Sequence, residues 1–297
     1  MRTFVHLRSL NKKDKKNMTP IVYPDELILL AQNPEVVLVD ARTGPGVKEK
    51  YQNLHLQKAR FVDLEQDLSE KKANAAEGGR HPLPQAEKFA GVLGQLGITP
   101  ESHVVVYDDK NGANAAARFW WMLKAMGHEK LQVLNGGMEA AIAAGYPTTH
   151  TAEELPTTPT TYPVQNWQLP TVNLSDVEKV TQRTDFIVID VREAERYRGE
   201  KEPIDLVAGH IPGAVNIPFS TNLDQNGFYL PADELKTKYS EALGNTDPSQ
   251  VIVHCGSGVT ACHTLLAMAY AGLEIPSLYV GSWSEWSRNN KPIATEV

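Results

Sequence analysis

Two cysteines occur in the 297 residues, Cys255 and Cys262, and the first stands where sulfur chemistry is simplest to build. Val251-Ile252-Val253 is a short β-branched run after Pro248. It stops at His254-Cys255, and Gly256-Ser257-Gly258 follows before Val259-Thr260-Ala261. This pattern predicts a buried strand, a nucleophile, a glycine loop and a buried helix over residues 259–270, closed by Gly272. A thiol in that place meets outward-pointing amides and the positive end of a helix dipole, a setting that favours an anion. Gly256 and Gly258 let the backbone curl, so that successive N–H groups can cradle a thiolate or a charged group attached to it.

The same opening could serve phosphoryl chemistry, which needs an arginine six residues after the cysteine to clamp a phosphate dianion. Ala261 occupies that position, so covalent sulfur chemistry is the reading that survives. No metal site is expected. In His254-Cys255 and Cys262-His263 the adjacent side chains point apart on a strand or helix, and no second cluster completes a tetrahedral shell. Two cysteines flanking one loop also exclude a disulfide framework and suit a reducing, cytoplasmic compartment.

These residues need elements to position them. The composition, 41% hydrophobic and 22% charged, is that of a globular protein, long enough for two domains of about 150 residues each. A net charge of -7 argues against a nucleic-acid partner or a basic membrane-binding face, and no apolar run is long enough to span a bilayer. Residues 1–18 carry Lys12, Lys13, Lys15 and Lys16 without an apolar stretch, and read as an N-terminal extension.

The chain repeats itself. Pro24–Leu30 leads to an apolar run at residues 36–39 that ends in Asp40-Ala41-Arg42. Later Leu174–Val180 leads to a run at residues 186–189 that ends in Asp190-Val191-Arg192. In the same register Tyr107-Asp108 answers His254-Cys255, and Leu134-Asn135-Gly136-Gly137 answers Tyr279-Val280-Gly281-Ser282. Alternating strands and helices predict an α/β fold in each half, a mainly parallel sheet with helices on both faces. The expected units are residues 19–147, a Pro- and Thr-rich linker at 148–170, and residues 171–297. Ligands bind beyond the carboxyl ends of such strands, where both Cys255 and Asp108 fall. Only the cysteine is a nucleophile toward sulfur, which leaves the first half to wall the cleft. Asp40, Arg42, Asp190 and Arg192 occur in both halves and are expected to pair structurally at the strand ends.

Several motifs together resemble the tandem-domain rhodanese sulfurtransferases over residues 20–295. They are the Cys255-to-Thr260 loop, Gly209-His210-Ile211-Pro212-Gly213-Ala214 and Gly281-Ser282-Trp283-Ser284-Glu285-Trp286. The first half adds Gly79-Arg80-His81-Pro82-Leu83-Pro84, Arg118-Phe119-Trp120-Trp121 and Gly136-Gly137. The resemblance implies two tandem rhodanese-like domains, the first inactive and the second catalytic.

Within that family the neutral Gly-Ser-Gly after the cysteine is similar to the 3-mercaptopyruvate branch, whereas thiosulfate enzymes usually show Arg-Lys-Gly. The implied reaction passes sulfur from a small-molecule donor, 3-mercaptopyruvate, through a Cys255 persulfide. The acceptor is a thiol, such as thioredoxin or a low-molecular-weight thiol, or cyanide, and no cofactor takes part. Gly256, Gly258, Val259 and Thr260 would hold the sulfur and donor, and Arg196 would grip the donor carboxylate. His81 and Glu65 would assist proton movement near Ser257. The family's second substrate arginine precedes Gly-His-Ile-Pro-Gly, where this chain has Glu202-Pro203-Ile204-Asp205-Leu206. Arg198 is the nearest substitute, so little positive charge is expected beyond Arg196. The alternatives are a thiosulfate:cyanide sulfurtransferase and a non-catalytic persulfide carrier or binding module.

Overall fold

The computed structural model describes residues 18–295. Apart from Met18, the expected extension lies outside the described residues.

The described chain forms twelve strands. They are β1 (Ile21–Val22), β2 (Val36–Arg42), β3 (His55–Leu56), β4 (Ala59–Asp63), β5 (His103–Tyr107), β6 (Leu131–Leu134), β7 (Thr148–Thr149), β8 (Thr171–Val172), β9 (Ile187–Asp190), β10 (Val215–Asn216), β11 (Val251–His254) and β12 (Ser277–Tyr279). The first sheet has the order β1-β6-β5-β2-β4 and the second β8-β12-β11-β9-β10, all parallel, with β3 and β7 forming a small antiparallel pair. The two orders correspond strand by strand, as the repeat requires. The valine-rich runs of β5 and β11 sit in the middle of their sheets and are almost wholly buried, which is what helices on both faces demand of a central strand.

The shared Asp-x-Arg ends of β2 and β9 make the expected pairs. Arg42 donates to both carboxylate oxygens of Asp40 at 2.7 Å and on to the Leu54 carbonyl. Arg192 holds Asp190 at 2.6 Å and the Gly209 carbonyl at 2.6 Å. Each pair is buried and ties a strand end to the crossover that follows it.

Of the expected linker 148–170, Thr148–Thr149 instead form β7 against β3, while residues 150–170 lie without helix or strand over the first domain, where the Thr160 amide donates to Gly94 O and Tyr162 is buried against His128. The two domains share one apolar core, in which the helix Ala115–Ala125 packs on the helix Thr260–Tyr270. Arg118, fully buried at this seam, donates to Gly258 O at 3.0 Å and His81 O at 2.9 Å. Nearby, the first-domain loop around Gly79 docks on the second domain. Gly78 N donates to Glu285, Asn289 donates to Ala76 O, and Arg80 N donates to Ser284 Oγ. Gly79 has φ +82, and a methyl there would fall 2.4 Å from Gly281 O, so this contact requires glycine.

Arg118→Met should therefore lower stability by about 2 kcal/mol, because the buried His81 carbonyl loses its donor and Gly258 O keeps only the weak thiol of Cys262. A lowered midpoint of urea unfolding checks this; an unchanged midpoint would remove Arg118 from the seam's energetics.

Candidate active site

Cys255 follows β11 directly and is 1% exposed. Its loop is fixed from one side by the helix Ser282–Trp286: Trp283 N donates to Cys255 O and Ser284 N to Gly256 O, while Cys255 N donates to Ser282 Oγ. Gly258 has φ +74, and a methyl on it would lie 2.5 Å from Val280 O, so no other residue lets the loop close here. The backbone amides of Gly256, Ser257, Gly258, Val259, Thr260 and Ala261 meet no protein acceptor among the described residues. They form the predicted nest, left open.

The first domain shows what such a loop does with an anion. At the position matching Cys255, the Asp108 carboxylate accepts from Lys110 N and Gly112 N at 2.8 Å, Asn114 N at 2.9 Å and Ala116 N at 3.1 Å. Four amides are spent on a built-in carboxylate. In the second domain the equivalent amides remain available for a charge on sulfur.

A cavity of about 200 Å³ opens over the loop, lined by Cys255, Gly256, Ser257, Val259 and Thr260, by His81, and by Arg80 and Arg196. Thr260 is the first residue of its helix, with no hydrogen bond to the sulfur among the described residues. His81 Nδ1 lies 2.7 Å from Ser257 Oγ, and its Nε2 lies 3.0 Å from Glu65 Oε1. Glu65 is held down to about 2 by the His81 hydrogen bond and by its ion pair with Lys71. Burial pushes His81 below its ordinary 6.5, more than Glu65 raises it. A neutral ring beside an ionised carboxylate donates from Nε2 to Glu65, which makes Nδ1 the acceptor for the Ser257 hydroxyl. The family resemblance grouped these three residues, and in the structure they meet.

Arg196 projects from the short helix Ala194–Tyr197. It lines the cavity, with Nη2 2.7 Å from Glu202 Oε1 and 3.3 Å from Asp205 Oδ2. Two expectations about cations fail. Arg198, the substitute nearest in sequence, pairs with Glu200 at 2.6 Å on the surface, because residues two apart on a helical turn diverge by about 200°. Nor is Arg196 the lone positive charge. Arg80 of the first domain stands beside it, and a methyl on Gly256 would lie 3.1 Å from Arg80 Nη2 and 3.4 Å from Arg196 Nη2. The segment lacking a cation supplies the carboxylates, Glu202 and Asp205, that hold these arginines. The signal was present in Gly79-Arg80-His81, but only the fold brings it to Cys255.

Cys262 is fully buried, its thiol pushed up to about 12 by burial and donating to Gly258 O. It is a poor nucleophile.

The family model for the rhodanese-like domain matches residues 23–144 and again residues 173–289. A Pseudomonas aeruginosa protein named "Probable 3-mercaptopyruvate sulfurtransferase" is 38% identical over 278 residues, 91% of this chain and 96% of its own length. A thiosulfate sulfurtransferase of Gallus gallus is 39% identical over 215 residues, 71% of this chain and 72% of its own. Among solved structures, a 3-mercaptopyruvate sulfotransferase of Escherichia coli superposes with a TM-score of 0.74 at 34% identity, covering 90% of this chain and all of its own.

The His81 ring should titrate below 6.5, and Glu65→Gln should lower the midpoint further, since Glu65 is what pulls it up against burial, Arg80 and Arg118. Proton NMR of the ring, assigned with His81→Gln, reads both; a midpoint that rises in Glu65→Gln would contradict the pairing.

Proposed function

We propose, from the premise that the chain belongs to the rhodanese family and is a sulfurtransferase, that it moves sulfur from 3-mercaptopyruvate through a persulfide on Cys255. The Cys255 thiolate attacks the donor sulfur, forming an S–S bond as the C–S bond breaks, and the released electron pair forms the enolate of pyruvate. The donor's thiol proton is carried to that carbon, through Ser257 and His81, to give pyruvate. The open amides from Gly256 to Ala261 hold the sulfur anion before and after the transfer. A thiol or cyanide then takes the outer sulfur and returns the thiolate. Arg196 holds the donor carboxylate, and Thr260 lines the cavity in which the sulfur reacts. The acceptor class includes thioredoxin and low-molecular-weight thiols, in a reducing, cytoplasmic setting suited to two free cysteines.

The observation that carries this reading is the Ser257–His81–Glu65 relay beside Cys255. Thiosulfate leaves behind sulfite, already a stable anion that needs no proton. An enolate of pyruvate must be protonated, and a relay has work only with that donor. The similarity to a thiosulfate sulfurtransferase makes thiosulfate the second reading.

Cys255→Ser should abolish turnover with every donor, because a hydroxyl is not ionised near neutral pH, while Cys262→Ser should stay within about twofold of the unaltered enzyme. Ser257→Ala should lower kcat/KM for mercaptopyruvate about a hundredfold and leave thiosulfate turnover far less changed. Steady-state kinetics with both donors tests the assignment, and an unaltered enzyme that prefers thiosulfate sinks it.

A further inference from the structure

The cations at the mouth of the cavity come from different domains and share one anchor. Asp205 has a fully buried side chain, and three arginines converge on it. Arg80 Nε lies 3.1 Å from Oδ1, Arg288 Nη1 2.9 Å from Oδ1, and Arg196 Nη2 3.3 Å from Oδ2. Asp205 thus holds a first-domain and a second-domain guanidinium side by side over Gly256. Each is engaged through Nε and Nη2, and the Nη1 of Arg80 and of Arg196 makes no hydrogen bond among the described residues. Arg80 is 26% exposed at its side chain, less than an unpacked surface arginine, and it lines the cavity together with Ile204.

The charge count selects the ligand. Arg80, Arg192, Arg196 and Arg288 face Asp190, Glu202 and Asp205, four guanidinium groups against three carboxylates, which leaves one positive charge. One surplus charge with two free N–H edges suits a single carboxylate better than a compact dianion.

We propose that Arg80 is a specificity-determining residue: it forms, with Arg196, a carboxylate clamp built across the domain seam. The inference rests on the mercaptopyruvate reading. It makes the first domain part of the donor site and sets a donor carboxylate between the two halves.

The test compares the unaltered enzyme with Arg80→Gln, Arg80→Lys and Arg80→Gln combined with Ile204→Arg, using mercaptopyruvate as donor and cyanide as acceptor. Cyanide discharge of enzyme already loaded as a persulfide is measured in parallel. Arg80→Gln should lower kcat/KM at least about tenfold, mostly through KM. Arg80→Lys should lose less, and an arginine at position 204, which faces the same cavity, should restore part of the loss. Persulfide discharge should change less than threefold in all variants. A kcat/KM for Arg80→Gln within twofold of the unaltered enzyme overturns the clamp, and so does an equal loss in persulfide discharge, which would mark general damage. Failure of the unaltered enzyme to use mercaptopyruvate at all would instead overturn the donor assignment.

Discussion

A charged sulfur on Cys255, a residue only 1% exposed, has little bulk water around it and depends on the hydrogen-bond donors of its own loop. The rest of the site follows from that requirement. The glycines at 256 and 258 bend the loop, the helix at Ser282–Trp286 takes up the Cys255 and Gly256 carbonyls, and Val280 O crowds Gly258 so closely that no side chain fits. With the Cys255 and Gly256 carbonyls engaged by that helix, the loop amides keep no protein acceptor among the described residues.

Duplication explains why a molecule with two such loops has one nucleophile. The first domain keeps the strand, the turn and the helix, but fills its nest with Asp108, so its amides are satisfied internally. That half brings to the cleft side chains the second domain does not place there: His81 and Glu65, hydrogen-bonded in line with Ser257, and Arg80 beside Arg196. The seam that delivers them is held by Arg118, which touches both His81 O and Gly258 O, so the relay and the sulfur loop share one buried support.

Much of this was legible in the chain because the deciding signals are local. A β-branched run ending in Cys255 and two glycines specifies strand and loop within ten residues, and the Asp-x-Arg pairs act two residues apart. His81 and Glu65 were found through motif resemblance, and their geometry could not be read from spacing. Arg80 escaped because its partner Asp205 lies 125 residues away, and charge along a sequence says nothing about which guanidinium a buried carboxylate will gather. Arg198 misled for the converse reason: it is near in sequence to Arg196 but turned to the opposite side of the helix.

We infer that Cys255 carries sulfur covalently between donor and acceptor. Mass spectrometry of the protein mixed with 3-mercaptopyruvate, with no acceptor present, tests it most directly. The expected product carries the mass of one added sulfur atom, located on the peptide containing Cys255 and removed by cyanide. No added sulfur while pyruvate accumulates, or sulfur found on Cys262, would contradict it.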